Sequence, residues 1–201
     1  MLFFDVGAES EDYAKKYLSP GRLDSIRDCI QSAFQTYHND YVGLSSCHSA
    51  RTKACIINDI IVDNVKKTFQ ADADIRFLYK KQSFRISIDN GAVNIRFKKM
   101  DKKLRVHSIP TQQALEFNCQ GILFEPSVNI NAGYVPNGLD IRIVVACPKN
   151  GATNHWKWEI AQKSQPVKTK PIVLPIPGIN VTRRNVKPRR ELLNDEETKK
   201  Q

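Results

Sequence analysis

The 201-residue chain has no uninterrupted apolar run near the roughly 18 residues that a membrane helix requires. Its opening residues, Met1-Leu2-Phe3-Phe4-Asp5, lack the basic region and long apolar stretch of a secretory signal. The five cysteines (Cys29, Cys47, Cys55, Cys119, Cys147) are odd in number and contain no Cys-x-x-Cys spacing. That argues against a disulfide framework and a zinc ribbon, and makes a reducing cytoplasm the expected location. His38, His48, His107 and His155 are scattered, with no His-x-x-x-His or His-Glu-x-x-His, so a zinc hydrolase has little support. Neither Gly-x-x-x-x-Gly-Lys nor Gly-x-Gly-x-x-Gly occurs, which removes the usual nucleotide cradles. No internal repeat is present. What is left is a class of partner rather than a reaction.

Positive charge is what the chain has in excess: 31 Lys and Arg against 21 Asp and Glu, a net of +10. The excess is concentrated. Residues 76–105 hold ten basic residues against Asp89 and Asp101, and residues 163–201 hold ten against four. Residues 1–50, by contrast, carry four basic and seven acidic residues. Clustering of this kind is the electrostatic footprint of a polyanion binder, with DNA or RNA as the expected partner and no membrane. A solvated surface is the bland alternative.

The pattern predicts an α+β domain over residues 22–162, preceded by an acidic segment at 1–21 and followed by a Pro-rich basic tail at 163–201. Ser19-Pro20-Gly21 reads as a turn. Leu23, Ile26, Ile30, Ala33, Phe34 and Tyr37 recur at helical spacing over 22–38. A second helix starts near Ser46 or Ser49 and runs to Phe69, with Ala50, Ala54, Ile57, Ile61 and Val65 as its buried stripe. The period then drops to 2: Ile75, Phe77 and Tyr79; Phe84, Ile86 and Ile88; Val93, Ile95 and Phe97. Asn90-Gly91 is a strong hairpin signal, because both turn positions need a positive φ. It sets Ile88 opposite Val93, Ile86 opposite Ile95 and Phe84 opposite Phe97. A short helix follows Pro110 and runs to about Cys119, residues 121–138 read mostly as loop, and 140–147 and 155–160 read as two further strands of a mixed sheet. Five of the ten prolines lie between Pro166 and Pro188, so the tail is expected to be extended or disordered, with Ile172–Ile179 as an apolar strap suited to a protein partner over 166–190.

The same register places Arg85 opposite Arg96, and like charges facing each other on a sheet are destabilising unless an anion lies over them. Lys98 lies two residues beyond Arg96, and Arg76 and Lys80 share the parity. Lys99, Lys102, Lys103 and Arg105 extend the block, and Arg183, Arg184, Arg189 and Arg190 add a second one in the tail. These residues are the expected nucleic-acid contacts, the lysines touching backbone without reading sequence. Aromatics do not interleave with the basic face, so no stacking platform is expected there. Asp59 and Asp63, four apart on the second helix, are the candidate metal pair, and Thr111-Gln112-Gln113 opens the third helix as a modest anion site.

The element order over Ser49–Cys147 (helix, three-stranded meander, helix, strand) resembles the PD-(D/E)XK nuclease-like fold. The resemblance implies a divalent metal such as Mg²⁺, held by an acidic residue of the second strand and the Glu of Glu-x-Lys on the third. Here the third strand reads Arg96-Phe97-Lys98. The lysine position is matched, the acidic one carries the opposite charge, and Asp89 lies beside the turn. As catalytic candidates, Lys98 and Asp89 therefore imply a divergent nuclease or toxin, while the non-enzymatic binder is the leading expectation. Arg96–Asp101 followed by Ile109–Gln113 also resembles uncharacterised prokaryotic proteins encoded beside helix-turn-helix regulators. That second resemblance implies a component of a toxin–antitoxin-like or phage-defence pair.

Overall fold

Serine caps start both long helices. Ser19 Oγ accepts the Arg22 N–H at 3.3 Å with Pro20 in the first turn, so Ser19-Pro20-Gly21 opens a helix instead of forming a turn. Ser49 Oγ accepts the Thr52 N–H at 3.1 Å. The computed structural model describes residues 10–80, 83–106, 111–118, 127–149 and 153–160. Its elements are α1 (Glu11–Tyr17), α2 (Pro20–Asp40), α3 (Ala50–Phe69), β1 (Ile75–Lys80), β2 (Ser83–Ile88), β3 (Val93–Lys99), α4 (Gln112–Asn118), β4 (Val128–Asn137), β5 (Asp140–Pro148) and β6 (Asn154–Ile160). The architecture is α+β. The tail with its strap and Arg183, Arg184, Arg189 and Arg190 lies outside the described residues, as do His107 and Cys119. No helix among the described residues is long and apolar enough to cross a membrane.

The strands form one mixed six-stranded sheet in the order β1-β2-β3-β4-β5-β6, parallel between β3 and β4 and antiparallel elsewhere. Helices α2 and α3 lie on one face, α3 over β3 and α2 over β4 to β6. Beneath them the alternate residues Ile86, Ile88, Val93, Ile95, Ile130 and Ile143 are fully buried. Residues 11–17, in the weakly patterned acidic segment, form α1, and Ala14 and Leu18 join this core. A smaller cluster of Met100, Leu104, Val135, Val144 and Ala146 packs on the other face.

The Asn90-Gly91 turn forms as its chemistry requires. Asn90 (φ 54°) and Gly91 (φ 107°) are both left-handed, and the Ala92 N–H donates to Asp89 O at 3.2 Å. The register is Ile88 with Val93, Ser87 with Asn94 and Ile86 with Ile95, and there the ladder ends. The expected pairs Phe84–Phe97 and Arg85–Arg96 fall beyond it. Arg22 closes this end of the sheet, its guanidinium lying 3.3 Å from Asp72, 3.1 Å from Asp74 and 3.5 Å from Asp89.

Three strands follow α4, one more than the pattern predicts. Residues 128–137, expected to be mostly loop, are the central strand β4, buried on both faces from Val128 to Val135. A strand covered on both sides has no reason to alternate, and Asn129, Asn131 and Gly133 give it the composition of a turn. Gly133 is needed for contact. A Cβ there would lie 2.4 Å from Lys98 O and under 3 Å from the Met100 side chain. Gly133→Ala is expected to lower unfolding stability by about 2 kcal/mol, read as a lower denaturant midpoint at unchanged slope. An unchanged midpoint contradicts this packing.

Candidate functional site

Strand parity decides where the basic residues stand. With Ile86, Val93 and Ile95 buried under the helices, Arg76, Arg85, Arg96 and Lys98 take the opposite face. Arg76 is exposed, opposite Ser87. Arg85, Arg96 and Lys98 are half-buried, and the structure brings these three together. The Nε atoms of Arg85 and Arg96 are both buried without a hydrogen-bond partner. Phe117 of α4 lies under the Arg96 guanidinium, 4.6 Å from ring centroid to Cζ, and holds the fork by cation–π attraction.

The electrostatics record the crowding. Burial, and after it Arg85, pull the Arg96 pKa down. Burial, and after it Arg96, pull the Lys98 pKa down, against a smaller opposing effect of Cys55. Among the described residues no carboxylate pairs with either group to offset this. A cation desolvated beside other cations is destabilising in the free protein, and an anion bound there removes that cost.

Lys102 and Lys103 are exposed at the tip of a tight turn. Asp101 builds it. Its O accepts from Leu104 N at 2.9 Å, and its carboxylate accepts from Arg105 N at 2.8 Å and Arg105 Nε at 3.1 Å. Leu104 adopts φ 62° with its side chain buried. The left-handed backbone costs roughly 1–2 kcal/mol, and burying the leucine contributes about as much or more in return. Arg105 is thereby paired, while Lys99, Lys102 and Lys103 point outward with their charge.

Two hollows flank the second half of β3. One, of about 40 Å³, is lined by Arg96, Lys98 and Arg105 together with Asn118, Asn131 and Asn154. The other is a cleft of about 440 Å³ bounded by Asn58, Asp59, Asp63 and Lys66 of α3, Tyr79 of β1, Phe84 of β2, and Arg96 and Lys98 of β3. Asp59 and Asp63 thus share a cleft with Lys98. Asp89 does not: it pairs with Arg22 before β3 begins, while Lys98 sits near the strand's end, roughly 17 Å away by strand rise.

These residues do not fit a dedicated Mg²⁺ centre. Asp63 is engaged by Lys67 at 2.6 Å, Arg96 and Lys98 supply positive charge to the same cleft, and among the described residues no three His, Cys, Asp or Glu side chains converge. Thr111 caps α4, its Oγ1 accepting from Ala114 N at 3.3 Å, so the expected anion site at 111–113 serves helix capping.

Comparison with protein-family profiles, curated proteins and solved structures finds no match.

Tyr79, Phe84 and Asn131 were not legible as site residues. The two aromatics belong to the helix-facing row of β1 and β2, and they line one cleft with Arg96 and Lys98 where the β2–β3 ladder has ended. Asn131 lies in the strand that reads as loop. Arg96→Met keeps the packing on Phe117 and removes the charge. It is expected to stabilise the protein by about 1 kcal/mol in thermal or chemical unfolding while weakening polyanion binding. Loss of stability contradicts the reading of Arg96 as an uncompensated cation.

Proposed function

We propose that this chain is a non-enzymatic nucleic-acid-binding protein. It grips the sugar–phosphate backbone through Arg85, Arg96 and Lys98, flanked by Arg76, Lys99, Lys102 and Lys103. The observation that carries the reading is the half-buried trio on one sheet face, in which the Nε atoms of Arg85 and Arg96 are buried without a hydrogen-bond partner. Guanidinium forks fixed against an aromatic ring are pre-organised for phosphate oxygens. The exposed lysines contribute charge without base recognition, so DNA and RNA share the chemistry that is bound.

A cleavage reading needs carboxylates where this site supplies cations, and Arg96 stands in the slot that a nuclease gives to an acid. The free thiols of Cys29, Cys47 and Cys55 support a reducing, cytoplasmic setting.

Fluorescence anisotropy with labelled duplex DNA and with RNA tests the proposal. If about four phosphates are neutralised, affinity falls roughly a hundredfold between about 50 and 200 mM salt. Absence of binding to either polymer at low salt overturns it. A salt-independent affinity does so too.

A further inference from the structure

The inference here rests on the preceding reading and narrows its ligand. We propose that the cleft between β2 and β3 takes one unpaired nucleotide of a single strand, its base against Tyr79 and Phe84 and its phosphate on Arg96 and Lys98.

The cleft is built into the sheet. Pairing between β2 and β3 stops at Ile86–Ile95, yet β2 remains paired to β1 as far as Lys80–Ser83, and β3 to β4 as far as Lys99–Tyr134. The sheet is thus open along one seam while both sides of the seam are held by neighbouring strands. Its volume of about 440 Å³ lies in the range of sites that enclose a small organic group.

The aromatic wall is fixed from behind. Tyr79 is 59% exposed although it lies on the helix-facing row. Its ring lies 5.2 Å from Phe84, and the Phe84 ring lies 6.2 Å from Phe97. Three rings therefore run from the buried core to the surface, and the outermost is open to solvent. Lys66 Nζ is 5.1 Å from the Tyr79 centroid and 5.9 Å from that of Phe84, a cation resting on the ring surface that a base would take. Lys66 is itself exposed, so its ammonium can swing onto a phosphate at small cost.

Charge divides the cleft as a nucleotide needs. Arg96 and Lys98 stand on the β3 side, Asp59 and Asp63 on the α3 side. A phosphate is drawn to the first wall. Carboxylates on the second accept hydrogen bonds from base amino groups and repel a second phosphate backbone. A duplex also has its base faces covered by neighbouring pairs, and extruding one costs a few kcal/mol. Single strands present those faces without that cost.

The test uses the full chain and a labelled single-stranded oligonucleotide beside the duplex of the same sequence, for the wild type, Tyr79→Ala and Tyr79→Phe. Anisotropy is expected to show tighter binding of the single strand. Tyr79→Ala should weaken that binding about tenfold and leave duplex binding unchanged, and Tyr79→Phe should behave as wild type. Thermal unfolding establishes that the exposed position tolerates both changes. Equal loss for both polymers, no loss for either, or a Tyr79→Phe defect as large as that of Tyr79→Ala overturns the inference. If duplex and single strand bind alike and Tyr79→Ala is silent, the backbone-binding reading stands and only the nucleotide cleft falls. If neither binds at low salt, both fall.

Discussion

Burial of one apolar row beneath α2 and α3 governs both the core and the candidate site. Side chains alternate along a strand, so seating Ile86, Ile88, Val93 and Ile95 under the helices leaves Arg85, Arg96 and Lys98 only the other face. Each of those four residues contributes roughly 1.5–3 kcal/mol on burial. Their sum exceeds the repulsion among three half-solvated cations at the effective dielectric of a protein surface. A register slip that separated the charges would expose the apolar row. The hydrophobic term wins, and the crowded cations are its consequence.

The rest of the structure holds that crowded face in place. Arg22 binds Asp72, Asp74 and Asp89 and fixes the turn end of the hairpin, far from the cluster. At the other end β3 is pinned by its parallel partner β4, where Gly133 admits Lys98 O and Met100 at a separation that no side chain would permit. Phe117 supports Arg96 from α4, and Asp101 folds the following turn so that Arg105 is neutralised while Lys102 and Lys103 project. The opening between β2 and β3 then joins two rows of opposite parity, the aromatic one and the basic one, in a single cleft.

Much of this was legible in the residues themselves. Helical spacing marked α2 and α3, with Ser49 among the expected caps, and the alternation from Ile75 to Phe97 with Asn90-Gly91 marked three strands and the register from Ile88–Val93 to Ile86–Ile95, though not the pairs expected beyond it. Two features were hidden for physical reasons. Strand β4 is covered on both faces and carries Asn129, Asn131 and Gly133, so neither alternation nor composition distinguishes it from a loop. The end of the β2–β3 ladder is set by how each strand follows its other neighbour, a tertiary effect with no local signature. Arg85, Arg96 and Lys98 were therefore expected correctly as neighbours on one face, while Tyr79 and Phe84 were not expected beside them. Asp89 and Lys98 were both catalytic candidates under the family resemblance, yet the length of β3 separates the two.

A site of this design is held at a cost to stability, because Arg96 and Lys98 are desolvated beside another cation and the Nε atoms of Arg85 and Arg96 are buried without partners. The claim that Arg85 and Arg96 destabilise each other is measured most directly by a double-mutant cycle on unfolding free energy, with Arg85→Met, Arg96→Met and the double variant in the absence of nucleic acid. The account predicts strong non-additivity: either substitution alone relieves the repulsion, and the second adds little stability once the first is made. Strictly additive effects would contradict it, and so would two single variants that are each destabilised irrespective of the other.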